Sequence, residues 1–247
     1  IVKNGAGTFT FSAGSTGTGG SSTSQVIYTG ATTINNGTLK FNNTESLATA
    51  ITVASGANVE FAETINRSYT PGGAVTVSGA GNLVKSGLGT IVLANANTYS
   101  GTTTVNAGTL QITGTQGGAH TGAYFVNDGG TLLIGNGSTA GVLTNNNAIT
   151  ANAGGSVAFS RNNAYTYTGV ISGAGNVENR TAGGIITLSG ANTFSGVTTA
   201  LAGTINLAGN AVSGGGLQAR TGGTLTLDFT QAGASATDLA AATAPVT

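Results

Sequence analysis

The sequence predicts an all-β chain folded as a single parallel β-solenoid, or β-helix, of about ten coils. Three observations carry that prediction. The first is a phrase written twice: Gly89-Thr90-Ile91-Val92-Leu93 leads through Asn97-Thr98-Tyr99-Ser100-Gly101 to Ala107-Gly108-Thr109-Leu110, and Gly184-Ile185-Ile186-Thr187-Leu188 leads through Asn192-Thr193-Phe194-Ser195-Gly196 to Ala202-Gly203-Thr204-Ile205. A third copy opens the chain, from Gly7-Thr8-Phe9 to Asn36-Gly37-Thr38-Leu39, around a long insert. The second observation is a shorter unit, Gly-x-hydrophobic-x-hydrophobic. Its turn position falls at Gly7, Gly37, Ala57, Gly89, Gly108, Gly130, Gly155, Gly184, Gly203 and Gly223, 216 residues in nine intervals that average 24. The third is composition. Gly reaches 43 of 247 residues, Pro only 2 and charged residues 6%, and Gly, Thr, Asn and Ser lie low in helix propensity.

Each unit reads as a strand because its apolar residues alternate: Phe9/Phe11, Leu39/Phe41, Val59/Phe61, Ile91/Leu93, Leu110/Ile112, Leu132/Ile134, Val157/Phe159, Ile186/Leu188, Ile205/Leu207 and Leu225/Leu227. Period-2 alternation after a turn signals a strand with one buried side. A parallel stack explains the repetition better than a sandwich does, since stacking puts like residues on like. Gly at the corners supplies positive φ. Asn beside it, as at Asn35-Asn36-Gly37, Asn106-Ala107-Gly108 and Asn127-Asp128-Gly129, suits amide ladders, and Thr suits the outward face. Ten coils at ~4.8 Å would make a rod roughly 45–50 Å long. The solenoid is expected over residues 1–230 with a Gly/Ser/Thr-rich insert at 12–25. A second Gly-rich connection runs from Thr113 to Thr121, and residues 231–247 form an Ala-rich tail or a connector to a further unit. The start at Ile1-Val2-Lys3, without Met or leader, reads as a mature or excised piece of a longer chain.

Charge excludes several functions. Formal net charge is zero and the seven basic residues are scattered, so nucleic acid, which is bound through clustered Lys and Arg, is not an expected partner. No apolar run approaches the ~20 residues of a membrane helix. Cysteine is absent, and there is neither a Walker loop nor a tandem Gly-Gly-x-Gly-x-Asp calcium repeat, so no cofactor or metal is expected.

Candidate chemistry is sparse. His120, eight residues before Asp128, is the sole histidine and no Gly-x-Ser-x-Gly elbow accompanies it, so it reads as a solvated loop residue. Glu60, Glu63 and Arg67 form the only local cluster of opposite charges, with Glu60 directed to solvent between inward Val59 and Phe61. A polysaccharide-processing enzyme would need Glu60, Glu63 and Glu178 to converge. Tyr28, Tyr99, Tyr167 and Phe194 each stand two residues before a Gly, which reads as packing at a bend. Arg161, Tyr165 and Tyr167, with Asn162 and Asn163, are the candidate exposed patch for a glycan or partner contact.

Leu83-Val84-Lys85-Ser86-Gly87-Leu88-Gly89-Thr90, with the Asn97 to Gly101 and Val105 to Leu110 segments, resembles the passenger-associated transport repeat of bacterial autotransporters. Residues 175–207 follow the pattern with Asn179-Arg180-Thr181-Ala182-Gly183 in place of its Lys-x-Gly-x-Gly, and residues 1–41 follow it around the insert. The resemblance implies a right-handed parallel β-helix, secreted or displayed at the bacterial surface, in a family with roles in adhesion, aggregation and surface structure. It carries over no active-site residue. The expected function is a non-enzymatic structural or adhesive element, a surface scaffold or fibre component whose open strand edges are either continued by further chain or stacked end to end. The alternatives are a glycan-binding adhesin with a glycan or cell-surface partner and, last, a polysaccharide-processing enzyme.

Overall fold

The computed structural model describes residues 1–12, 30–42, 50–63, 68–69, 76–117, 120–208 and 215–228. Nearly all of the 12–25 insert, together with Tyr28, Arg67 and the 231–247 tail, lies outside them. Every strand pairing among the described residues is parallel, and none of these residues is helical. The chain is a parallel β-solenoid with three faces.

Face I is an eight-stranded sheet of Thr8–Ser12, Thr38–Asn42, Asn58–Ala62, Asn82–Ser86, Thr103–Val105, Tyr124–Val126, Ile149–Ala151 and Ile171–Ser172. Face II is likewise eight strands deep: Ser68–Tyr69, Thr90–Leu93, Gly108–Ile112, Gly130–Ser138, Ser156–Arg161, Asn176–Asn179, Thr198–Ala200 and Leu217–Ala219. Face III is broken into three pieces. Val2–Lys3, Thr32–Ile34, Ile51–Val53 and Val77–Gly79 form the first, Thr115–Gln116 and Val142–Leu143 the second, and Ala164–Tyr167, Ile185–Leu188, Gly203–Ala208 and Gly223–Asp228 the third. An Asn97–Gln116 bridge and the Thr98 amide on the Val77 carbonyl join the first piece to the second.

Like residues do stack. On face I, Phe11, Phe41 and Phe61 occupy successive rungs with ring centroids 5.8 Å apart. On face II the inward rows are Ile91, Leu110, Leu132, Val157 and Val177, then Leu93, Ile112, Ile134 and Phe159, all buried. Alternation in each strand thus becomes two continuous apolar rows along the axis, which no single turn could bury.

Each long face is about eight strands deep rather than ten, roughly 34 Å by strand spacing. The reason lies in where the repeating unit sits. At Gly7, Gly37 and Ala57 it opens strands of face I, from Gly89 to Gly155 it opens strands of face II, and at Gly184, Gly203 and Gly223 it opens strands of face III. The intervals from Ala57 to Gly89 and from Gly155 to Gly184 are 32 and 29 residues because each covers a turn and one further face. No one face therefore carries all ten units. The three long repeats occupy face I, face II and face III in turn, each rotated by one face from the copy before.

A shared corner marks each of these steps. Gly37, Gly108 and Gly203 have φ of 70°, 63° and 65°. A Cβ on any of them would lie within 2.5 Å of a carbonyl oxygen of the preceding turn. Elsewhere the left-handed residue is one position earlier than the unit suggests, at Gly129, Gly154, Gly183 and Gly222. At the first corner Lys3 donates to Gly5 and Asn36 carbonyls, at the second Lys85 donates to Gly87 and Ala107, and at the third Asn179 donates to Gly184 and Thr204. Asn179 thus takes the lysine's task with a shorter side chain, which accounts for the departure from Lys-x-Gly-x-Gly in the third copy.

Candidate functional site

The chemically distinctive side chains are found mostly inside the stack. His120 is fully buried, a correction to its reading as a solvated loop residue. Of the described residues in the Thr113 to Thr121 connection, Gln116 is buried within the third-face strand and His120 lies against Tyr99, ring centroids 4.4 Å apart. His120 Nδ1 is 2.7 Å from the Tyr99 carbonyl, and a carbonyl can only accept, so Nδ1 carries the proton. Nε2 then accepts from the Tyr124 hydroxyl at 2.8 Å. Burial holds the imidazole below its ordinary pKa, opposed by the Tyr99 carbonyl bond.

This polar line continues across turns. The Tyr99 hydroxyl meets Thr103 Oγ1 at 2.5 Å, Asn145 and Asn147 donate to the His120 carbonyl, Asn147 also donates to Gly122, and Tyr167 donates to the Asn147 carbonyl. Four successive turns are tied through their interior by these bonds. Burial raises the phenol pKa of Tyr99, Tyr124, Tyr165 and Tyr167, so all four stay protonated in the folded chain.

Lys85 is buried as well and follows Phe61 in the inward row of face I. Its Nζ donates to the carbonyls of Ser86, Gly87 and Ala107 at 2.9, 2.6 and 3.0 Å. Desolvation lowers its pKa to about 8, partly offset by the charge of buried Glu63.

Of the predicted contact patch, Arg161 is 4% and Tyr167 1% exposed, while Tyr165 is half-buried. The structure brings Arg161 and Tyr165 together, with the guanidinium 4.6 Å from the ring centroid. Arg161 donates to the Ala140 and Gly141 carbonyls and to Asn163 Oδ1. Tyr165 accepts from the Leu143 amide and donates to its carbonyl. These bonds link the corner after face II to the preceding turn.

Glu60 and Glu178 lie apart, and Glu63 is buried. Glu60 points outward on face I, 2.7 Å from Lys40 Nζ on the adjacent rung, and accepts from Ser86. Glu178 points outward on face II and pairs with Arg180 at 2.8 Å. Five turns separate Glu60 from Glu178, about 24 Å along the axis and beyond the range of paired carboxylates.

The outer surface repeats. On one edge of face I, Asn127 donates to Asn106 and Asn152 to Asn127, each at 2.7 Å, and on the opposite edge Asn82 donates to Asn58 at 3.1 Å. The ladder expected beside the Gly corners is therefore present at Asn106 and Asn127. Missed at the sequence level were the interior roles of Lys85, His120 and Arg161. The one available signal was that Lys3 and Lys85 precede equivalent Gly-x-Gly corners.

Comparison with known proteins agrees with this architecture. The passenger-associated-transport-repeat family matches residues 1–41, 83–112 and 183–207. Over 134 residues, 54% of the chain, the sequence is 32% identical to the Adhesin BmaC autotransporter of Brucella suis biovar 1 (strain 1330), and the chain spans 4% of that adhesin's length. No solved structure gives a significant match. The three matched intervals contain the positive-φ corner glycines Gly37, Gly108 and Gly203, so the family's repeat carries the corner that opens each new face. Three stretches of the chain match the passenger-associated-transport repeat, and just over half of its length is similar to part of an autotransporter adhesin, a similarity that points to the cell surface or the extracellular space.

Proposed function

We propose that the chain acts as a non-enzymatic adhesive rod that presents a repetitive, weakly charged surface to a partner outside the cell. The observation that carries this reading is the use of Lys85, His120, Arg161, Tyr99 and Tyr167 to tie turn to turn, which leaves hydroxyl and amide rows as the outward chemistry. The similarity to a protein named as an adhesin supports it. Beads coated with the full chain should attach to cultured cells well above beads coated with albumin. Equal attachment of the two bead types to every cell type tried would remove the adhesive reading and leave a passive scaffold.

Self-association through the ends of the stack is a second reading. It is supported by the parallel register, in which each rung offers the next the same apolar and amide rows that a second copy could continue. Electron microscopy of concentrated protein should then show filaments, and uniform short rods would exclude stacking. Glycan attachment is the remaining alternative. At the Arg161 corner it would fall to the ring of Tyr165, since Arg161 and Tyr167 are committed to backbone carbonyls.

A further inference from the structure

We infer that the outward side of face I between Val84 and Ser172 binds a neutral, extended polysaccharide lying along the solenoid axis, with Phe125 as its stacking platform. This deepens the adhesive reading and rests on it.

Strand register places three outward rows side by side. The central row is Val84, Thr104, Phe125, Thr150 and Ser172 on successive rungs. One flank holds Ala123, Ala148 and Val170, whose carbonyls accept the amides that begin the neighbouring strands. The other flank is the Asn106, Asn127 and Asn152 ladder. Phe125 is 37% exposed, an aromatic ring left in water where every rung neighbour in its row carries a small hydroxyl side chain.

The chemistry of these rows selects a sugar. A pyranose offers one apolar C–H face and a rim of hydroxyls, which matches a ring flanked by groups that both donate and accept. Asn127 follows the strand Tyr124–Val126 directly and its amide still pairs with the Val105 carbonyl, so two residues from Phe125 it faces the same way about 7 Å from the ring. Asn127 and Asn152 each spend one N–H on the preceding ladder amide, and a carboxamide carries a second N–H that can serve a ligand. Charge points the same way. The closest ion pair on the row, Lys40 with Glu60, begins three rungs from Phe125, and Asp128 lies at the corner beside Asn127, so nothing in the central rows favours an ionic ligand. A protein partner would want a desolvated centre rich in Tyr, Trp and Arg, which these rows do not supply. Extended β-linked sugars advance by nearly one rung per residue. Such a chain keeps each unit over an equivalent Thr and Asn.

Calorimetry on the full chain with cellohexaose and chitohexaose as probes, and maltohexaose as comparator, tests this. At least one β-linked hexasaccharide should bind, Phe125→Ala should weaken it about tenfold, and Phe125→Tyr should retain it. Maltohexaose, whose chain curves, should bind less well. Unchanged binding by Phe125→Ala, equal binding of maltohexaose, or no binding of either β-linked probe would overturn the assignment. So would a dimer in ultracentrifugation that Phe125→Ala dissolves without any sugar binding, which would give this face to a second copy of the chain. If the beads attach to cells while these probes fail, the polysaccharide site is wrong and the adhesive reading stands. If beads and probes both fail, both readings fall.

Discussion

Lys85 stands one rung after Phe61 in the row that stacks Phe11, Phe41 and Phe61, and its ammonium reaches the Ala107 carbonyl of the following turn at 3.0 Å. The row that is aromatic for three rungs becomes polar where the repeat passes from face I to face II. Lys85→Met would keep the apolar stem but leave the Gly87 and Ala107 carbonyls without that donor, and remove the cation facing Glu63. Urea unfolding should show a loss of about 2–4 kcal/mol.

The same lysine predicts a rise of stability in mild alkali. Its folded pKa of about 8 lies below the unfolded 10.5, so between those values the unfolded chain holds more protons and unfolding becomes less favourable as pH rises. Stability should climb between pH 8 and about pH 10. Lys85→Met should abolish the climb, and a variant that keeps it would show that another group is responsible.

Above pH 10 the tyrosines reverse the trend. Tyr99, Tyr124, Tyr165 and Tyr167 have folded pKa values raised by burial, so the stability they contribute is complete below the unfolded value of 10.0 and is lost as pH rises past it. Tyrosinate absorbance should therefore appear for these four only together with unfolding. Smooth titration of all six tyrosines in a chain that keeps its β-sheet circular dichroism would contradict the buried polar line.

In acid the controlling group is His120. Its folded pKa is below the ordinary 6.5, so its contribution is complete above that value and is lost as pH falls below it, when the unfolded chain takes up a proton that the folded chain resists. Melting temperature should fall between pH 6.5 and 5. His120→Phe should lower stability at pH 8 by about 1–3 kcal/mol through the two lost ring bonds and flatten this part of the pH profile.

Two glycines with similar φ separate close approach from backbone strain. Gly108 has φ 63° and a Cβ there would stand 2.5 Å from the Gly87 and Gly89 carbonyl oxygens, whereas Gly56 has φ 78° and open space around it. Gly56→Ala should cost about 1 kcal/mol and Gly108→Ala about 3 kcal/mol or more, measured by thermal unfolding. Equal losses would mean that the preceding turn yields easily at the corner.

Much of the candidate chemistry was hidden for a physical reason. Lys85, His120 and Arg161 are polar, and polar residues in a weakly charged chain read as surface residues. They are inside because corners of a parallel stack leave backbone carbonyls without strand partners, and each of these side chains donates to such carbonyls. Asn106 and Asn127 were legible as a ladder because an amide beside a repeated corner meets its equivalent one rung away.

By itself the sequence determined that short strands with one apolar side stack in parallel, because alternation sets the inward side of each strand and repetition sets like on like. Tertiary structure alone decided that the three long repeats occupy three different faces. The Gly-x-hydrophobic-x-hydrophobic unit makes the same strand on any face, and its angular position depends on the summed lengths of the corners and insertions before it. Register around the axis is a property of the whole turn.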